Sequence, residues 1–278
     1  MSSVGRRRDR ASMKPIVFLG GGRITAALAA GLRLAGDDRE IVVYDRHPEK
    51  LRGLRRESRV KVAQDLRSAL VQAGMLIVAV RPGAVREMLG EVAACGARPP
   101  KLCVSLAAGI PLGKLRKWIP GVSWARAMPS PVCRIGRGLN PVCFDRTVSK
   151  GDRARVRDLF GRVGPVIELP ERQMDAVTAT HSSTHGYHAL AALAKAAQRA
   201  GLDRKMALVA AAHALSDGIA YWRESGLSLD ELLEEAATPG GIAAATMAAM
   251  DRSGYGRAVE RGIQAGVARC RWNRKHAG

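Results

Sequence analysis

A chain of 278 residues with 47% hydrophobic content has material for two domains and a sizeable core, which excludes a disordered or fibrous protein. Lys and Arg number 45 against 25 Asp and Glu, a formal charge of +20. The arginines are spread along the chain and aromatics make up only 4%, so stacking platforms for bases are scarce; the charge reads as a solvated surface that suits anionic phosphates, not nucleic acid. No apolar run reaches membrane-spanning length, and five cysteines without C-x-x-C spacing read as reduced thiols of a cytoplasmic protein.

Residues 1–13, with Arg6-Arg7-Arg8-Asp9-Arg10, read as a disordered basic tail. Ile16-Val17-Phe18-Leu19, then Gly20-Gly21-Gly22-Arg23-Ile24-Thr25 and an Ala-rich run, predict strand, tight turn and helix. The spacing is G-x-G-x-x-T, with Thr25 where Gly or Ala is usual. Glycines there let the backbone turn sharply beside a bulky anion, and the first helical turn offers unpaired N–H groups to it. Gly20, Gly22, Arg23 and Ile24 are therefore the candidate pyrophosphate contacts. A second strand, Glu40 to Asp45, ends in a carboxylate 20 residues after Thr25, where a nucleotide ribose is read. Asp45 suits the 2′-hydroxyl of NADH, whereas Arg46 suits the 2′-phosphate of NADPH. The alternative is a glycine turn in an unrelated α/β domain.

Strand and helix continue to alternate. Pro48 to Arg56 is predicted helical, Val60 to Ala63 a strand, Leu66 to Gln72 a helix and Met75 to Val80 a strand. Helix Ala84 to Ala94, strand Leu102 to Leu106, helix Leu112 to Trp118 and strand Val122 to Ala127 follow. A hairpin-like pair, Pro141 to Phe144 and Val166 to Leu169, surrounds a helix over 150–162. Continuous apolar strands indicate a parallel sheet covered on both faces. Beyond Pro170 only helices are predicted, over about 186–200, 204–224, 229–236, 242–252 and 257–273. Asp203 and the Ser228/Glu231 capping box mark two helix starts. The wide Ala-rich faces suggest packing against a second copy, a large internal core being the alternative.

Several motifs then occur in order: Met75 to Pro82 (MLIVAVRP), Ser105 to Gly109 (SLAAG), Arg126-Ala127-Met128-Pro129, Met174 to Ala179 and Thr238-Pro239-Gly240-Gly241. Together they resemble pyrroline-5-carboxylate reductases from about Lys14 to Arg269. The resemblance implies a Rossmann-like nucleotide-binding domain (14–169), then an all-α dimerisation and substrate domain (170–278), with the active site between them. It implies reduction of a cyclic imine, best matched by pyrroline-5-carboxylate to proline, using NADPH or NADH, by a homodimer or higher homo-oligomer. Arg46 gives a slight lean to NADPH, because the family commonly keeps arginine there. Val80, Arg81, Pro82 and Ala107 are implied to border the cofactor.

The substrate half departs from the family. Its serine–glycine loop ending in Pro-Ala-Tyr is here Thr180-His181-Ser182-Ser183-Thr184-His185-Gly186-Tyr187. Ser183 and Tyr187 align with the family's serine and tyrosine, but His185 replaces the proline. Ser130-Pro131 stands for Asn-Thr, and Gly240-Gly241 precede Ile242-Ala243 where a threonine is usual. A substrate carboxylate fits the N–H groups of Gly240 and Gly241 at a helix start. Ser183 and Thr184 are candidate donors to the imine nitrogen, with Tyr187 and His181 beside the substrate. His185 is either the proton donor or a helix-start residue bonded to a backbone carbonyl. These changes leave two further readings open: the same fold and cofactor with another imine, and a non-catalytic nucleotide-binding homologue. His181, His185 and His188 would share one face of a continuous helix, but with no fourth ligand nearby no metal is assigned. His213 reads as a partly buried structural residue.

Overall fold

Eight short strands form one sheet. They are β1 (Ile16–Leu19), β2 (Ile41–Tyr44), β3 (Lys61–Val62), β4 (Met75–Val78), β5 (Leu102–Ser105), β6 (Ser123–Ala127), β7 (Asn140–Phe144) and β8 (Val166–Glu168). The central members β1, β2 and β4 are unbroken apolar runs because that part is covered on both faces. This computed structural model describes residues 14–277, so the basic tail lies outside the described residues. The chain forms two compact units, one ending at His181 and resuming at Gly266, the other spanning Ser182–Ala265. The composition changes at Pro170, whereas the first unit keeps twelve residues more.

The first unit holds the whole sheet, in the order β3-β2-β1-β4-β5-β6-β7-β8. Its helices are α1 (Arg23–Leu34), α2 (Arg52–Ser58), α3 (Leu66–Gln72), α4 (Val85–Ala94), α5 (Leu112–Trp118), α6 (Lys150–Gly161) and α7 (Met174–Thr180). Successive strand residues point to opposite faces. Phe18, Val43 and Ile77 therefore meet α1 and α6 through Leu28, Leu32 and Phe160. Val17, Val42 and Leu76 meet α3, α4 and α5 through Leu70, Leu89 and Leu115.

Strands β1 to β6 are parallel, and β7 runs antiparallel to β6. The predicted hairpin of residues 141–144 and 166–169 is not one, since β8 is parallel to β7. The intervening α6 carries the chain back to the same end, as a parallel pairing requires. Helix α7, MDAVTAT, was not predicted; it is short and rich in Thr and Val, which favour helices weakly, and it has no side-chain cap.

A charged cluster closes the first unit. Arg126 on β6 is 1% exposed, 3.2 Å from Glu171 and 3.9 Å from Asp175, which also pairs with Arg274. Glu171 accepts the Leu112 N–H at 2.7 Å, and Asn273 donates to the Ala108 carbonyl at 3.2 Å. Gly109, at φ +78°, lies so close to Cys270 that a Cβ would fall 2.2 Å from that carbonyl oxygen. The last helix must approach here, so only glycine fits.

The second unit is helical: α8 (Thr184–Arg199), α9 (Arg204–Ser225), α10 (Leu229–Ala236), α11 (Ile242–Arg252) and the first half of α12 (Tyr255–His276). Asp203 accepts the N–H groups of Lys205 and Met206, and the Ser228/Glu231 box is formed, so both predicted caps are present. Helices α8 and α9 pack together over Ala194, Ala207 and Ala211, the buried apolar residues of this unit. No helix among the described residues is long and apolar enough to cross a membrane.

Candidate functional site

The sheet order reverses at β1, between β2 and β4, and the crevice beyond the carboxyl ends of such strands is where doubly wound folds take ligands. A cleft of about 750 Å³ opens there. Gly20, Gly22, Arg23, Ile24, Asp45, Arg46, Val80 and Arg81 all line it, and so do His47, Ala79, Ala84, Met88 and Leu106. Pro82 and Ala107 do not. Pro82 starts the short turn Pro82–Ala84, and Ala107 is 2% exposed with its N–H bonded to Ser105 Oγ.

Each glycine of the turn answers a different constraint. Gly20 sits at φ +104°, and a Cβ there would lie 2.9 Å from the Ala79 carbonyl oxygen. A Cβ on Gly21 would collide with Leu51 at 2.0 Å. A Cβ on Gly22 would meet nothing within 4 Å, since it would project into the cleft. The Thr25 hydroxyl, fully buried, donates to the Gly20 carbonyl at 2.6 Å, so the unusual third position ties the turn to its helix.

Helix α1 begins without a side-chain cap, and its first internal bond runs from Ala26 N–H to Gly22 carbonyl at 3.0 Å. The N–H groups before Ala26 are the donors a helix start leaves for an anion. A dinucleotide pyrophosphate fits this arrangement, because the space a side chain would fill at Gly22 is open and the donors face a cleft.

Asp45 spends both carboxylate oxygens on the main chain: Oδ2 accepts the Gly21 N–H at 2.8 Å and Oδ1 the His47 N–H at 2.9 Å. It thereby braces the glycine turn. Arg46 reaches α4, pairing with Glu87 at 3.0 Å and with Glu91. The Glu87 hydrogen bond is the main cause of a raised Arg46 pKa, with Glu91 adding to it. The sequence reading missed Glu87 and Glu91. Their i, i+4 spacing was visible, but not that their helix borders this strand end.

The substrate candidates occupy other ground. His181 ends α7 in the first unit, with Nδ1 and Nε2 each 2.7 Å from a carbonyl oxygen, those of Val177 and Met128. Both ring nitrogens are thus engaged by the main chain. Ser183, Thr184, His185, Tyr187, His188, Gly240 and Gly241 belong to the second unit. The His181/His185/His188 face does not form, because α7 stops at Thr180 and α8 starts at Thr184. Among the described residues no group of three or more His, Cys, Asp or Glu is placed to hold a metal.

Thr184 and Ser182 share a hydroxyl bond of 2.9 Å, and the His185 and Tyr187 N–H groups donate to Ser182 and Ser183 carbonyls. Gly240 takes φ +77°, and the Gly241 N–H is spent on Thr238 O at 2.9 Å. The open donors at this helix start are therefore those after Gly241, starting with Ile242. His213 is not partly buried as expected; its ring is 70% exposed and pairs with Asp217, because α9 leaves that face uncovered in the single chain. Burial pushes the Cys133 and Cys143 thiols up to about 12, and no cysteine lines the cleft.

Residues 15–109 match the family model for NADP oxidoreductase, coenzyme F420-dependent, and residues 171–272 the model for pyrroline-5-carboxylate reductase dimerisation. A pyrroline-5-carboxylate reductase of Mycobacterium leprae is 31% identical, over 93% of this chain and 96% of its own length. One from Synechocystis is 29% identical over 91% and 95% respectively. In fold the chain is similar to the Plasmodium falciparum pyrroline carboxylate reductase solved with NADP bound: TM-score 0.84 at 20% identity, covering 94% of this chain and 98% of that one. The chain belongs to the pyrroline-5-carboxylate reductase family.

Proposed function

We propose that this protein reduces pyrroline-5-carboxylate to proline with a reduced nicotinamide dinucleotide, acting as a homodimer or higher homo-oligomer. The observation that carries this is full-length membership of the family combined with an uncapped helix start at an open glycine turn. The bound dinucleotide supplies the hydride for the C=N bond. The protein's own tasks are orientation and charge. The N–H groups of Arg23 and Ile24 hold the pyrophosphate, and Asp45 keeps Gly21 in place beneath it. Val80 and Arg81 border the cleft.

In the second unit, the N–H groups at the start of α11 are assigned the substrate carboxylate, a role that needs no side chain at Ala243. Ser183, Thr184 and Tyr187 orient the imine, and His185 supplies its proton. His181 acts by holding the Met128 carbonyl, one residue from Pro129. The nucleotide-binding domain is assigned residues 14–169, and the dimerisation and substrate domain residues 170–278.

One observation favours a second substrate, an imine of different size or charge. Ser182 and Thr184, His185 and Ala243 stand where the family has glycines, proline and threonine. A substrate group losing a hydroxyl partner at Ala243 costs about 1–3 kcal/mol. The test is turnover of purified protein on pyrroline-5-carboxylate and a panel of other cyclic imines, with proline measured directly. Proline formed at the highest kcat/KM in the panel is the expected result. Nucleotide oxidation with another imine but not with pyrroline-5-carboxylate selects the second reading.

A further inference from the structure

Arg46 stands at the end of β2, where a nucleotide's 2′ position is read, but its guanidinium is already occupied. Nη1 lies 3.0 Å from Glu87 Oε1 and Nη2 pairs with Glu91 Oε1, two residues one turn apart on α4. Beside it, Asp45 adds a third carboxylate. The neighbouring His47 faces Glu49 at 3.5 Å, so that ring too has an acidic partner. Arg23 and Arg81 line the same cleft from the start of α1 and the end of β4. β4 is two strands from β2 in the sheet.

We infer that Glu87 and Glu91 set the cofactor choice: by clamping Arg46 they make the site select the 2′-hydroxyl of NAD(H) over the 2′-phosphate of NADP(H). This rests on the proposed nucleotide-binding role of the cleft. A 2′-phosphate carries nearly two negative charges near neutrality. To reach Arg46 it must displace a carboxylate and then remain beside Glu87, Glu91 and Asp45, three carboxylates around that one guanidinium. A 2′-hydroxyl displaces nothing and donates to a carboxylate. Each exposed ion pair is weak alone. The discrimination comes from three carboxylates acting together on one dianion.

The experiment is equilibrium binding, by calorimetry, of NAD⁺ and NADP⁺ to the purified full-length protein, repeated with 5′-AMP and adenosine 2′,5′-bisphosphate as fragments. The wild type is expected to bind NAD⁺ at least about tenfold more tightly than NADP⁺, from Coulomb repulsion at this distance range. The E87Q/E91Q variant, its fold checked by circular dichroism, is expected to lower that ratio at least about tenfold. Adding R46A to that variant is expected to abolish the gain, because the freed guanidinium is what takes the phosphate. Equal or tighter NADP⁺ binding by the wild type overturns the inference, as does an unchanged ratio in E87Q/E91Q. Binding of neither nucleotide overturns the nucleotide role of the cleft itself, and the clamp with it.

Discussion

In the first unit Phe18, Leu28, Leu76 and Trp124 are sealed between helices and sheet, each at most 2% exposed. In the second, Ile219, Tyr221 and Trp222 on α9 are about half exposed and Ile242 is 88% exposed, while the buried apolar side chains are three alanines. Burying one large apolar side chain contributes about 1.5–3 kcal/mol, and an alanine far less. Ordering each residue costs about 1–2 kcal/mol in backbone entropy alone. The first unit meets that cost internally. The second holds its large apolar groups in reserve for another surface, and a second copy of this chain is the surface the dimerisation match points to.

The sharpest way to break this contrast is to make the reserve unusable. Two aspartates on α9, at Val209 and Trp222, which are 44% and 47% exposed (the variant V209D/W222D), are expected to give a monomer by sedimentation at micromolar concentration, with loss of activity. Central interface residues cost about 2 kcal/mol or more each, so two raise the dissociation constant about a thousandfold. The same substitutions would cost little if those faces stayed in water; an oligomer of unchanged mass would assign the interface elsewhere.

A smaller effect, confined to the first unit, separates binding from folding within one turn. G22L is expected to weaken nucleotide binding at least about a hundredfold by filling the pyrophosphate space, with a melting temperature near that of wild type. G20A is expected to do the opposite in kind, losing about 1–3 kcal/mol of stability from a left-handed φ and the contact with Ala79. Calorimetric titration and thermal unfolding read the two apart. Equal loss of stability in both would deny that Gly22 borders an open cleft.

The smallest expected effect concerns the pH dependence of the first unit. Burial acts to raise the Asp37 pKa, but hydrogen bonds from Arg39 and the charges of Arg39 and Arg162 outweigh it and hold the pKa below normal. A depressed carboxylate contributes stability above its unfolded pKa, about 3.9, and loses it as pH falls through the lower folded value. D37N is therefore expected to cost about 1 kcal/mol at pH 7 and progressively less in acid. Urea midpoints at both pH values test this; a cost that grew in acid would reverse the sign of the argument.

Much of this was legible in the chain. The apolar run, glycines and Ala-rich segment at 16–32 gave strand, turn and helix with nearly the observed bounds, and the caps at Asp203 and Ser228 formed. The candidate site was legible only in part. Gly20, Gly22, Asp45 and Arg46 line one cleft, but Asp45 proves to brace the turn, and Arg46 is held by a helix forty residues on. His181 looked like one member of a histidine face, whereas its ring bonds two carbonyls and the helix breaks after Thr180.

Sequence alone determined the order of strands and helices apart from α7, the largely parallel sheet covered on both faces, the glycine turn and the helical second half. These follow from periodicity, apolar runs and the backbone freedom of glycine, all local properties. Tertiary structure alone decided which helix meets Arg46 and that residues 266–277 return to the first unit behind Arg126 and Gly109. It also decided which apolar faces stay open. Those depend on long-range packing. A carboxylate or an apolar stripe reads the same in sequence whether it meets a partner across the fold or water.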